Sequence, residues 1–295
     1  MSINLDPVLI KKISTMSLRA RYVAEGYISG LHQSPYRGSS LEFAQHRQYS
    51  PGDELKYLDW KVYGRTDRFY VKQYHEDTNL RGYCIIDSSR SMGYTSKQVT
   101  KLEYSKYLSA ALTYLMIKQR DSAGLINFNQ GIEDFIPPRN FKAHMQLVMD
   151  KLEDIEARRN TDFQKSFSEI GRRIKKRSLL ILFSDLIDEP DKIIKSLKFF
   201  PYLKNDLIVF HILDPEEINL TREGDIEYID METGEKIKTR PQIIRKDYQK
   251  KINEYLKRIE RGLRSHEIDY YRATTDMSLD RTISMFMEGR KKILQ

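Results

Sequence analysis

Cysteine occurs once in the 295 residues, at Cys84, which excludes an intramolecular disulfide and any cluster of thiolate ligands. Its place in the apolar run from Tyr83 to Ile86 predicts a buried, inert thiol and fits a reducing compartment. Long apolar runs are also missing. None approaches the roughly 20 residues that a membrane-spanning helix needs. The opening segment MSINLDPVLIKK lacks the continuous apolar core of a signal peptide, so a cytoplasmic location without a membrane span is expected. No G-x-x-x-x-G-K-[ST] or G-x-G-x-x-G follows a strand-like segment, which argues against nucleotide hydrolysis by the chain itself. No G-x-S-x-G is present, which removes serine-hydrolase wiring. The histidines, at 32, 46, 75, 144, 211 and 266, show no ligand spacing, and His211 inside VFHIL reads as a hydrogen-bonded core residue.

The composition is that of a folded protein: 40% apolar, 31% charged, with ordinary glycine and proline content. One large α/β body with an appended extension is expected. The formal net charge of +8 is spread along the chain, so an acidic partner is possible but nucleic acid is not implied. Its densest cluster, Arg172 to Arg177, follows a helical pattern. There the basic residues would meet the negative end of the helix dipole; a binding patch is the alternative.

From about residue 80, apolar strand-like runs alternate with helical patterns, which predicts a mostly parallel sheet of about six strands with helices on both faces. The runs are 83–87, 122–129, a short DFIPP, 178–185, 207–214 and 267–274. Two alternating segments flank Thr233 and Gly234, predicting a hairpin inserted near 225–239. Helical spacing of Ile244, Tyr248, Ile252, Tyr255 and Ile259 predicts a helix over 241–265, and a last amphipathic helix surrounds SLDRTISMFMEGRKKIL. Residues 1–78 read as a separate extension packed on the main domain of 79–295. It opens with a helix from about Pro7 to Leu31 and continues with short strands, one of them over 68–76.

The first run ends in Asp87-Ser88-Ser89-Arg90-Ser91, a D-x-S-x-S pattern at the carboxyl edge of a parallel sheet, where ligand sites of open α/β sheets lie. A carboxylate and two hydroxyls on one turn offer hard oxygen ligands to a divalent cation that keeps some of its waters. Thr161, ahead of a helix, and Asp185, ending a strand, are candidates to complete the set. A simpler reading has Asp87 and the serines capping the next helix. The combination resembles the metal-ion-dependent adhesion site of von Willebrand A domains over roughly residues 80–280. The resemblance implies that Ser89, Ser91 and Thr161 ligate directly and that Asp87 and Asp185 act through water. It also implies Mg²⁺, with Mn²⁺ or Ca²⁺ as alternatives, and an open position filled by an Asp or Glu of a partner. Leu186 stands where that family commonly has glycine, which puts the loop shape in question.

The stretch from Leu41 to Asp77 resembles the bacterial family called domain of unknown function fifty-eight, carried by Glu42, Phe43, Arg47, Tyr49, Pro51, Gly52, Asp53, Asp59, Trp60, Arg65, Tyr74 and Glu76. Members are commonly encoded beside MoxR-type AAA+ ATPases, which implies an adaptor role in a chaperone-like system. Physically, Glu42, Arg47, Asp59, Arg65 and Glu76 form a set of opposite charges suited to an ion-pair network clamping this region to the sheet. An interaction surface for the ATPase is the competing reading.

The expected function is therefore metal-dependent protein binding without catalysis. A metal-dependent phosphatase would use Asp87 as nucleophile but needs a second carboxylate two residues on, where Ser89 stands. A nucleic-acid-binding module is the alternative from another class, motivated by the basic balance and 19 tyrosines.

Overall fold

The computed structural model describes residues 5–33, 46–48, 63–64, 70–72, 80–229 and 234–293. The chain divides into two compact units, Met1–Gly30 with Leu80–Gln295, and Leu31–Asn79. Within the smaller unit, β1 (His46–Gln48) pairs antiparallel with β2 (Tyr70–Lys72). The first two helices, α1 (Pro7–Lys11) and α2 (Met16–Gln33), replace the single helix expected from Pro7 to Leu31. Thr15 accounts for the break, because its hydroxyl accepts from the Leu18 amide and its carbonyl from the Arg19 amide, starting a new helix. Leu5, Ile10, Met16, Ala20, Val23 and Ala24 are buried in the main core. These helices therefore group with the larger unit, a division that the change of composition near residue 78 does not mark.

The larger unit continues with β3 (Arg81–Asp87), α3 (Lys101–Lys118), β4 (Ser122–Phe128), β5 (Ile132–Arg139) and α4 (Lys142–Asp154). Next come α5 (Phe163–Arg173), β6 (Leu179–Ser184), α6 (Pro190–Leu197), the single turn α7 (Phe199–Tyr202), β7 (Asp206–Leu213) and α8 (Pro215–Asn219). The hairpin strands β8 (Ile226–Ile229) and β9 (Lys236–Thr239), then α9 (Pro241–Arg264), β10 (Asp269–Thr274) and α10 (Leu279–Ile293), complete it. Six strands form one sheet in the order β10-β7-β6-β3-β4-β5, with every pairing parallel except that of β5 on the edge. The fold is the α/β arrangement expected from the alternation of runs, a mostly parallel six-stranded sheet with helices on both faces.

The central strands are buried on both faces, so they read as continuous apolar runs whose alternate residues enter different cores. Cys84 and Ile86 join one core with α2, α3 and α4, while Tyr83 and Ile85 join the other with α5, α6 and α9. Pro137 and Pro138 are tolerated because β5 has no outer neighbour in the sheet among the described residues. Beside them Gly124 has no alternative, since a Cβ there would lie 2.6 Å from the Ile136 carbonyl oxygen. The expected hairpin is present as β8 paired with β9.

Candidate metal centre

Asp87 is the last residue of β3, and the chain leaves the strand beside β4, where the Ser88 amide donates to the Phe128 carbonyl at 2.8 Å. A short 3₁₀ turn, Arg90–Gly93, follows. It brings the Ser89 and Ser91 hydroxyls to 3.1 Å from each other, while the Ser89 amide donates to Asp87 Oδ1 at 2.9 Å. Thr161 arrives from a distant loop that is tied to this turn. The Arg158 amide donates to the Ser88 carbonyl at 2.9 Å, and the Arg90 amide to the Arg159 carbonyl at 2.7 Å. Thr161 Oγ1 then donates to Asp87 Oδ1 at 3.3 Å. Ser89 and Thr161 thus meet at one oxygen of Asp87, and Ser91 joins them through the Ser89 hydroxyl.

Asp185, the fifth, follows β6 directly and is buried. Its carboxylate is engaged by a group that the sequence pattern did not suggest: Lys101 Nζ donates to Asp185 Oδ2 at 2.8 Å and to Glu217 Oε1 at 2.5 Å. The Lys101 side chain is fully buried. Burial disfavours its charge, yet Asp185 and Glu217 together outweigh that and hold its pKa above the ordinary lysine value. One signal for it was in the sequence. Lys101 opens α3, and a lysine at the positive end of a helix dipole is unfavourable unless carboxylates meet it.

Ser184 was missed as well. Its hydroxyl donates to Asp87 Oδ2 at 2.7 Å and accepts from the Leu186 amide at 3.0 Å, linking both aspartates' surroundings. Leu186 has φ +48°, the left-handed region that glycine enters freely. The loop therefore keeps the glycine-like shape, and the buried Leu186 side chain accompanies the strained backbone. Tyr255 of α9 donates to the Leu186 carbonyl and holds the turn. His211 is the hydrogen-bonded core residue expected. Burial lowers its pKa to about 4, so the neutral ring donates from Nε2 to the Asp185 carbonyl at 2.8 Å and accepts at Nδ1 from Tyr270 at 2.7 Å.

Asp87 differs from Asp185 in having no ion pair among the described residues. Burial first, and then the nearby charge of Asp185, push its pKa from 3.8 to about 7, against the hydrogen bonds from Ser184 and Ser89. A buried carboxylate short of positive charge, faced by three hydroxyls, is a donor set that fits a hard divalent cation. Among the described residues no three His, Cys, Asp or Glu side chains gather for a metal, so hydroxyls and water would make up the rest of the shell.

Most of the charged set proposed for the N-terminal stretch lies outside the described residues. Glu42, Asp53, Asp59, Trp60, Arg65 and Glu76 fall outside the described residues, and Arg47 is placed in β1 by its backbone alone.

The family model described as "Protein of unknown function DUF58" matches residues 45–257. The chain belongs to the DUF58 family. Among curated proteins, it is 23% identical over 232 residues to the uncharacterized protein Rv1480 of Mycobacterium tuberculosis (strain ATCC 25618 / H37Rv), covering 78% of this chain and 73% of that one. Among solved structures, the conserved hypothetical protein BatB of Bacteroides thetaiotaomicron matches with a TM-score of 0.50 at 18% identity, over 72% of this chain and 99% of that one. The SpRpn10 VWA domain matches with a TM-score of 0.43 at 11% identity, over 68% and 92% respectively. This DUF58 chain thus shares a fold with BatB, and no helix among its described residues is long and apolar enough to cross a membrane.

Proposed function

We propose that this DUF58 protein is a non-catalytic, metal-dependent protein-binding module. Asp87, Ser89, Ser91 and Thr161 hold the cation, and Asp185, fixed by Lys101, orients the shell from outside. Bound Mg²⁺, or Mn²⁺ or Ca²⁺ in its place, supplies a Lewis-acidic position for an incoming carboxylate. The observation that carries the reading is Asp87: buried, unpaired and surrounded by hydroxyls, it gains the most from a cation. The rest of the site serves orientation. Ser184 fixes one carboxylate oxygen, and the two tied loops hold Thr161 and the serines around the other. A partner presenting Asp or Glu completes the site, and the family resemblance favours a MoxR-type AAA+ ATPase, its client, or both bridged together. The single buried Cys84 favours a reducing compartment such as the cytoplasm.

Calorimetric titration of the full chain with Mg²⁺ and Mn²⁺ tests the cation, and Asp87→Ala should abolish a single saturable event. With a purified MoxR-type ATPase, complex formation should require the metal and reverse on chelation. Identical binding with metal, without it and in Asp87→Ala would sink the mechanism.

A further inference from the structure

At the amino-terminal edge of the sheet, where β6 and β7 begin, lies a second surface of distinct chemistry. It sits a strand length from Asp87, about 20 Å for six residues. The cluster from Arg172 to Arg177 meets the single turn α7 there. Gly171 lies against α7 so closely that a Cβ would come within 2.8 Å of the Phe199 ring and 3.8 Å of Leu203 Cδ1. The Ser178 amide donates to Asn205 Oδ1 at 3.0 Å, and Arg177 pairs with Asp206 at 3.3 Å, closing the two segments side by side.

Phe200 anchors α7 in the core, fully buried, while its neighbours turn outward: Tyr202 is 77% exposed, Phe199 47% and Leu203 40%. Around them Arg172, Lys175, Lys176 and Lys204 are exposed and Lys198 is half-buried. None of these five cations forms an ion pair among the described residues. A helix dipole accounts for cations at the end of α5, but it does not account for a phenylalanine, a tyrosine and a leucine projecting among them.

We propose that this surface docks on an anionic lipid bilayer, with Phe199, Tyr202 and Leu203 entering the headgroup region and the five cations against lipid phosphates. Aromatic rings with an apolar body favour the membrane interface, and clustered lysines and arginines favour anionic lipid. Nucleic acid fits less well, since stacking uses ring faces set in series along a groove, whereas here aliphatic Leu203 directly follows the turn that carries the rings. Docked this way, the opposite edge of the sheet, where β3 ends at Asp87, faces away from the bilayer.

Co-sedimentation of the full chain with vesicles tests the proposal, using phosphatidylcholine alone and phosphatidylcholine mixed with phosphatidylglycerol at about 0.1 M salt. Binding should appear with the mixed vesicles only. Each lysine removed should cost about fivefold, so Lys175→Glu with Lys176→Glu should weaken binding by about 25-fold or more. Tyr202→Ser should weaken it by about tenfold through lost apolar contact. These positions are exposed, so the variants should melt as the parent does. Equal partition to neutral vesicles, no binding to anionic ones, or an unaltered Tyr202→Ser overturns the proposal. So does tighter, Tyr202-dependent binding to short single-stranded DNA, which would make nucleic acid the partner.

Discussion

Replacing Lys101 by methionine removes the one cation that pairs with Asp185 and Glu217 among the described residues while keeping much of the side-chain volume. The ammonium lies 2.8 Å from Asp185 Oδ2 and 2.5 Å from Glu217 Oε1. Asp185 is only 2% exposed and Glu217 24%, so Asp185 loses its charge partner with almost no water to replace it. Breaking a buried pair by removing one member costs about 3–5 kcal/mol, a large part of the roughly 5–15 kcal/mol that holds a domain together. Urea unfolding followed by far-UV circular dichroism should show that loss at neutral pH. Burial already holds the Glu217 carboxyl above its ordinary value and the ammonium opposes that, so without Lys101 the deficit should shrink as pH falls and grow as pH rises. Adding Asp185→Asn and Glu217→Gln should recover most of the stability, because the unpaired charges are then gone. Mg²⁺ should raise the unfolding midpoint more in Lys101→Met than in the parent, since the freed Asp185 gains a new counter-charge. A Lys101→Met protein within about 1 kcal/mol of the parent, the value of an exposed pair, would refute the buried-pair argument.

Without metal, Asp87 has a folded pKa of about 7 against an ordinary 3.8. Folding therefore takes up a proton between those values, and stability should fall as pH rises from about 4 to about 7. Thermal melts with and without Mg²⁺ check this: the metal should flatten that slope, and an equal slope in both conditions counts against a cation at Asp87. At Leu186, with φ +48°, glycine relieves about 1 kcal/mol of backbone strain that alanine keeps. Both Leu186→Gly and Leu186→Ala should lose stability through the emptied buried site, but glycine should be the more stable of the two, the reverse of the usual order. Cys84 is fully buried, and burial raises its pKa to about 11. A thiol reagent should modify it only at the rate of unfolding, and rapid labelling of the native chain would contradict that burial.

The strands were legible because burial on both faces leaves an uninterrupted apolar record in β3, β6 and β7, and each run observed had been expected within a few residues. The D-x-S-x-S turn was legible for a related reason: its residues are consecutive and sit where a parallel strand ends. The break between α1 and α2 was not, because it depends on local bonds made by Thr15 that periodicity averages over. Leu186 looked like a departure in the loop, yet the backbone takes the left-handed turn regardless of the side chain.

By itself the sequence determined the order of the strands in the main unit, the class of fold and the three hydroxyl-bearing residues that gather near Asp87, namely Ser89, Ser91 and Thr161. These follow from periodicity and from short motifs, both of which are local. The tertiary structure alone decided that Asp185 is held by Lys101, that Glu217 shares that ammonium, and that Asp87 is left without a counter-charge among the described residues. Lys101 and Glu217 stand 116 positions apart. No pattern in the chain records their meeting, because it arises only when α3, β6 and α8 converge at one edge of the sheet.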